Sequence, residues 1–260
     1  MLCKPSCIIL VLISVSCQNQ AGRQMPRDTI SNQTHSTDNP YATIEKIPLP
    51  EGFYRVPLDS NSFGSWLRNR PLKKDKTVYL YNGEEKTNQA AQFAVLDISV
   101  GDKDLQQCAD AVMRLRAEYF YEKQEYDSIV FYDNERGVYK FMPPFTRANF
   151  DNYLIRVFGM CGSMSLSKHL RPVASFHDIQ PGDVIIHGGF PGHAVIVMDV
   201  AINDAGEKLY IIAQSFMPAQ NIHVLINENN ENYSPWYQVL ENKRIITPEY
   251  LFESSELKRW

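Results

Sequence analysis

The sequence predicts an α+β fold, with helices packed on a small antiparallel sheet, and three observations carry that prediction. DLQQCADAVMRLRAEYFYEK places apolar residues at 105, 108, 109, 112, 115 and 119, the stripe of an amphipathic helix. DIQPGDVIIHGGFPGHAVIVMDVAINDAGEKLYIIAQSF carries three strand signals in succession, separated by a Gly-rich loop and by an Asn203-Asp204-Ala205-Gly206 turn. Helical patterns precede this compact strand set instead of alternating with it, which argues against a doubly wound sheet.

Taken in order, NSFGSWLRNRPL repeats Phe63, Trp66 and Leu67 at helical spacing and is ended by Pro71. TVYLYNG alternates and stops at Asn82-Gly83, a strand and turn signal, and QFAVLDISVGD reads as a second strand. In the helix that follows, Asp104 with Gln107 three residues on fits a capping box, which puts Cys108 in the first turn. YDSIVFYD reads as a strand, and NFDNYLIRVFGMCGSMSL as a helix that loosens at Gly159, Gly162 and Ser163. HVLIN, a polar NENNENYSPWY loop and ITPEYLFESSEL complete the chain.

The 260 residues carry a net charge of −4, with 44% hydrophobic and 22% charged residues, values of an ordinary globular protein. A basic face or Lys/Arg run is missing, so nucleic acid is not an expected partner. No Gly-rich motif follows a strand and opens a helix, so a nucleotide fold is not supported, and no cofactor is expected.

The first residues, MLCKPSCIILVLISVSCQNQ, read as a secretory signal over residues 1–17: a basic Lys4, an apolar run from Ile8 to Val15, and Ser16 ahead of Cys17. The apolar run is too short for a membrane-spanning helix. Ser14-Val15-Ser16-Cys17 resembles a relaxed bacterial lipobox, which implies diacylation of Cys17 and a membrane tether. Ser14 departs from the larger aliphatic residue usual there, so cleavage without a lipid stays open. Residues 18–40 have the polar composition of a flexible spacer, leaving residues 41–260 as a single α+β domain. Of the five cysteines, Cys108 and Cys161 remain in that domain, and an exported compartment permits a disulfide between them.

The candidate chemistry centres on His193, which stands where GGFPG turns into the apolar strand AVIVM. A hairpin through residues 203–206 brings the end of LYIIAQ, hence Gln214 and Ser215, beside it. A histidine with an orienting amide is half of a thiol-hydrolase arrangement. Cys108 and Cys161 are the available nucleophiles. A helix N-terminus lowers a thiol pKa, which favours Cys108, and Gln106 or Gln107 could donate to an oxyanion. Against this, Cys108 lies on the apolar stripe, where an inert packed cysteine is equally expected. His193 could equally be a core histidine bonded to a loop carbonyl, Asp183 could simply cap its turn, and Gln214 could bond backbone.

PGDVII with Gly182-Asp183, PGHAVIVMD with His193, and YIIAQS with Gln214 resemble the papain-like cysteine peptidases of the NlpC cell-wall type. The resemblance implies a papain-like core in which Cys108 is nucleophile, His193 base and Gln214 the orienting group. Longer segments, DLQQCADAVMRLRAEY, PGDVIIHGGFPGHAVIVMDV and AQSFMPAQNIHVL, resemble an uncharacterised bacterial lipoprotein family, a domain of unknown function numbered 4846. In that family the cysteine motif lies in the QQCAD segment, which selects Cys108 over Cys161. The expectation is an exported lipoprotein in the cell envelope that hydrolyses amide bonds of cell-wall peptides. The alternative is a non-catalytic envelope lipoprotein binding a glycan, peptide or protein.

Three further groups have readings of their own. His187, His193 and His223 could converge on a metal, but no HxxxH or CxxC spacing supports it. Arg114 and Glu118 are four apart on one helix and are expected to form a surface ion pair. Tyr233, Trp236 and Tyr237 beside Pro235 could wall a groove or pack as core.

Overall fold

The computed structural model describes residues 37–260; the expected signal sequence, Cys17 and most of the expected spacer lie outside the described residues. Asn39, at the end of that spacer, is buried and donates from Nδ2 to the carbonyls of Tyr41 and Lys73.

The fold is α+β. Among the described residues, four α-helices, α1 (Phe63–Arg68), α2 (Cys108–Glu122), α3 (Arg147–Met160) and α4 (Ser163–His169), accompany thirteen strands. In the first half these are β1 (Phe53–Arg55), β2 (Gln92–Val95), β3 (Val130–Tyr132) and β4 (Val138–Lys140). β5 (Arg171–Pro172), β6 (Val184–His187), β7 (His193–Asn203), β8 (Lys208–Gln214) and β9 (His223–Leu225) follow. The chain ends with β10 (Tyr237–Gln238), β11 (Arg244–Ile246), β12 (Leu251–Glu253) and β13 (Leu257–Arg259).

Nine strands form one sheet in the order β2-β9-β8-β7-β6-β13-β5, with β1 paired to β7 and β10 to β8, all antiparallel. The two small sheets, β3-β4 and β11-β12, are hairpins. β7 is the spine. Its side chains alternate, so Ala194, Ile196 and Met198 pack with α2 and α3 residues such as Val112, Leu115 and Leu154. Val195 and Val197 face the opposite core of Ile212, Leu225, Tyr237 and Phe252. Burial on both faces explains why AVIVM is apolar without a break.

Three sequence expectations change. α2 begins at Cys108 and not near Asp104, because Asp104 Oδ1 is taken by the Ala219 N–H at 2.7 Å and by Gln107 Nε2 at 3.2 Å. The N-cap is Gln107, whose N–H donates to Asp110 Oδ2 at 3.0 Å. TVYLYNG forms no regular strand. Its Val78 and Tyr79 N–H groups donate to side chains, Gln89 Oε1 and Asn221 Oδ1, which replace a neighbouring strand. YDSIVFYD splits into a 3-10 turn, Tyr126–Ser128, and β3. The long helix breaks at Cys161-Gly162, as the glycines suggest, into α3 and α4.

Candidate functional site

The loop between β6 and β7 holds the start of β7 against α4. A Cβ at Gly192 would lie 2.3 Å from Ser163 Oγ and 2.7 Å from the carbonyl oxygens of Gly189 and His187, so only glycine lets the loop pass. Ser163 Oγ also donates to the Gly189 carbonyl. The two strands then pair, with His187 opposite His193.

His193 is buried and its Nε2 lies 2.7 Å from Gln214 Oε1. The neighbouring strand end therefore reaches His193 as the hairpin suggested, although the β7-β8 register shifts by a bulge between Val197 and Asp199. The imidazole packs among Phe216, Tyr250 and Phe252, with ring centroids at 4.9, 4.9 and 5.7 Å. Burial pulls its pKa down to about 4, against the hydrogen bond that Gln214 Oε1 accepts from it. The ring is neutral at physiological pH. Ser215, buried beside Gln214, has its Oγ 2.8 Å from the Gln106 carbonyl and 2.9 Å from that of Gln220, so its one hydrogen lies between them and ties the end of β8 to the segment entering α2.

Cys108 is the first residue of α2, and its sulfur is approached by the N–H groups of Ala194, Ala109 and Cys108 itself, which favour the thiolate. Ala194 is the residue after His193, so α2 delivers the thiol to the start of β7. The expected fall in thiol pKa does not occur. Cys108 is only 7% exposed, and burial together with the Asp110 carboxylate pushes it up to about 11. A helix N-terminus stabilises a thiolate by a modest amount, and loss of water outweighs it. Asp110 is itself buried, and burial holds its carboxyl well above the ordinary range, with Oδ1 unpartnered.

Cys108, Asp110 and Cys161 line one cleft of about 300 Å³, closed on its other side by Gly189, Phe190, Pro191, Gly192 and Met217. Phe190 is 83% exposed at its rim. Both cysteines are free thiols, and burial raises that of Cys161 to about 12. Gln107 borders this cleft, whereas Gln106 lines a separate one and donates nothing to the thiol side.

The remaining expected residues separate from this group. Asp183 caps its turn, accepting the Gln180 N–H, and pairs with Arg259 at 2.6 and 2.7 Å. His187 pairs with Glu256 on the exposed edge, and His223, buried, pairs through Nδ1 with the Asn221 carbonyl. Among the described residues no group of three or more His, Cys, Asp and Glu side chains is arranged to hold a metal ion. Arg114 and Glu118 do pair, at 3.4 Å, but not at the surface: each is about nine-tenths buried, and Arg147 also grips Glu118 with both terminal nitrogens. Trp236 and Tyr237 are buried and bonded to the carbonyls of Pro48 and Ile226.

Behind Gln214 stands a pair that sequence reasoning missed. Gln214 Nε2 donates to Glu249 Oε2 at 2.7 Å, and Lys86 Nζ, almost fully buried, donates to the same oxygen at 2.7 Å. Asn88 Nδ2 reaches Glu249 Oε1 at 3.3 Å, and His223 Nε2 lies 3.9 Å from Oε2. Glu249 sits in a turn closed by Thr247 and Tyr250, whose backbone and hydroxyl groups bond each other.

Fold and site together define an α+β protein with a buried thiol at a helix start, a cleft over that thiol, and an imidazole–amide pair at the start of the strand on which the helix packs. The chain belongs to the family described as a domain of unknown function (4846), whose profile matches residues 44–143 and 133–259. No curated protein and no solved structure matches it significantly.

Proposed function

We propose that this protein is an exported lipoprotein, anchored through Cys17 in the cell envelope, and that its body is a papain-like cysteine hydrolase acting on amide bonds of cell-wall peptides. The observation that carries the reading is the meeting of the α2 start with the β7 start. Cys108 and Ala194 pack in one buried cluster where α2 lies on β7, and His193, the residue before Ala194, has one ring nitrogen held 2.7 Å from Gln214 Oε1.

In this reading His193 Nδ1 takes the Cys108 proton as Sγ attacks the substrate carbonyl carbon. The first-turn N–H groups of α2 have no intrahelical partners and are available to the oxyanion. Collapse of the tetrahedral intermediate breaks the C–N bond, His193 protonates the departing amine, and water hydrolyses the thioester. With the thiol near 11 and the imidazole near 4, the resting pair is uncharged. Proton transfer therefore accompanies attack and does not precede it.

The test is incubation of purified peptidoglycan with wild type and with Cys108→Ser, followed by mass spectrometry of released peptides. The reading expects new fragments from wild type alone. Fragments from both proteins, or none from a folded wild type, would overturn it. A second reading, a non-catalytic lipoprotein that binds a peptide or glycan in the same cleft, is favoured by the burial and high pKa of Cys108. Co-sedimentation with peptidoglycan, without fragments, is its signature.

A further inference from the structure

We propose that the buried Glu249–Lys86 pair is a tautomer lock: it fixes the amide of Gln214 and thereby makes His193 Nδ1 the ring nitrogen free to accept a proton. The inference rests on the reading of His193 as the base.

The argument runs outward from Lys86. Lys86 is 6% exposed, and its Nζ donates to Glu249 Oε2 at 2.7 Å, which makes that oxygen an acceptor. A carboxylate only accepts hydrogen bonds. The Gln214 atom 2.7 Å from Glu249 Oε2 must therefore be the amide nitrogen, since an amide oxygen there would set two acceptors against each other. Asn88 Nδ2, the other amide on Glu249, likewise turns its donor to the carboxylate. With its nitrogen committed, Gln214 can offer His193 only Oε1, again an acceptor. The His193 nitrogen 2.7 Å away, Nε2, must carry the hydrogen. A neutral imidazole has one N–H, so Nδ1 is left with its lone pair.

His223 follows the same logic with the opposite outcome. Its Nδ1 faces the Asn221 carbonyl at 2.9 Å and so carries the hydrogen, leaving Nε2 bare and without a partner, 3.9 Å from Glu249. Two buried histidines one strand apart are thus held in opposite tautomers by acceptors on opposite sides of their rings. Glu249 is a positioning residue, since it touches neither thiol nor cleft. Glutamine alone in its place would keep its oxygen towards Lys86 Nζ, which donates to the same atom as Gln214; with Lys86 replaced as well, the glutamine can present its nitrogen and the Gln214 amide can turn over. His193 would then be driven to carry its hydrogen on Nδ1, where it cannot receive the thiol proton.

The experiment is ring ¹⁵N NMR of His193 at neutral pH in wild type, Glu249→Gln and Glu249→Asp. The lock expects a protonated Nε2 and a bare Nδ1 in wild type, in E249D and in E249Q, whose glutamine oxygen still faces Lys86. The double variant Lys86→Met with Glu249→Gln, made alongside, removes both charges and should show a mixed or reversed pattern. Peptide release should fall about tenfold or more in that double variant, short of the roughly 10²–10⁴ a general base contributes, and stay near the wild-type rate in E249D. A wild-type ring protonated on Nδ1, or an unchanged ¹⁵N pattern in the folded double variant, would overturn the lock. The NMR pattern does not depend on hydrolysis, so an inactive wild type with the expected tautomers would count against the proposed reaction and leave the lock standing.

Discussion

β7 carries two buried polar side chains, His193 at its start and Asp199 at the bulge in its middle, and they are satisfied in different ways. Asp199 is fully buried and saturated: Arg55 Nε reaches Oδ2 at 2.7 Å, Arg68 Nε and its terminal nitrogen reach Oδ1 at 2.8 and 2.7 Å, and the Val200 N–H adds a bond at 2.9 Å. The guanidiniums also hold backbone, Arg55 at the Ile47 carbonyl and Arg68 at that of Val56, so this cluster staples the N-terminal segments to the sheet. His193 has one nitrogen committed to Gln214 and one that makes no hydrogen bond to a neighbouring side chain among the described residues. A saturated polar cluster holds a fold, whereas one with a spare valence can do chemistry. Burial costs both residues: it pushes the Asp199 carboxyl above its ordinary value in spite of two guanidiniums, and pulls the His193 imidazole down.

The largest effect expected from this contrast is at Asp199. Asp199→Ala strands two mostly buried guanidiniums and should cost about 3–5 kcal/mol, the range for breaking a buried ion pair from one side. Urea denaturation measures it, and a loss below about 1 kcal/mol would mean the staple is ornamental.

Acid comes next, and it attacks the other end of the strand. The unfolded imidazole titrates near 6.5, while His193 and His223 titrate near 4 and near 3 in the fold. Between those limits the unfolded chain binds more protons, so stability rises with pH across the window and is lost as pH falls below about 6.5. From pH 7 to pH 5 each imidazole should remove about 2 kcal/mol, at roughly 1.4 kcal/mol per pK unit. An unfolding midpoint that is flat over this range would show that neither ring is held neutral.

His193→Ala sharpens the contrast most directly, because its two readouts should separate. It removes one hydrogen bond and some ring packing, so stability should fall by about 1–3 kcal/mol, less than at Asp199. Peptide release should fall by about 10²–10⁴, the usual contribution of a general base. A variant that loses stability as severely as Asp199→Ala while retaining peptide release would make His193 a structural residue and erase the distinction.

Much of this was legible from the residues, and the parts that were not share a cause. The hairpin through Asn203 and Gly206 announces that Gln214 returns to His193, because turn chemistry and strand alternation are local. The apolar stripe of α2 is equally local, but its start is not: Asp104 looks like a cap until Ala219, from a distant segment, takes its carboxylate. Glu249 and Lys86 gave no signal at all. Each lies in irregular chain, in ITPEY and in the loop before β2, and they become a pair only through the tertiary fold. The raised Cys108 pKa has the same origin. The sequence shows the helix end that lowers it and hides the depth of burial that raises it.

Asp110 gives the smallest effect and tests that balance. Its Oδ2 accepts the Gln107 N–H, its Oδ1 is buried without a partner, and its charge is the second cause, after burial, of the high Cys108 pKa. Because the folded carboxyl titrates well above its unfolded value, ionising it costs stability as pH rises through the folded pKa. Asp110→Asn keeps an acceptor for Gln107 and removes that cost, so it should raise stability by up to about 1 kcal/mol above that pKa and by nothing at pH 3. The same change should move the pH profile of Cys108 alkylation by iodoacetamide to lower pH, since the thiolate no longer forms beside a carboxylate. If the profile stays in place while stability rises, burial alone sets the thiol. The site then depends entirely on His193 to remove its proton.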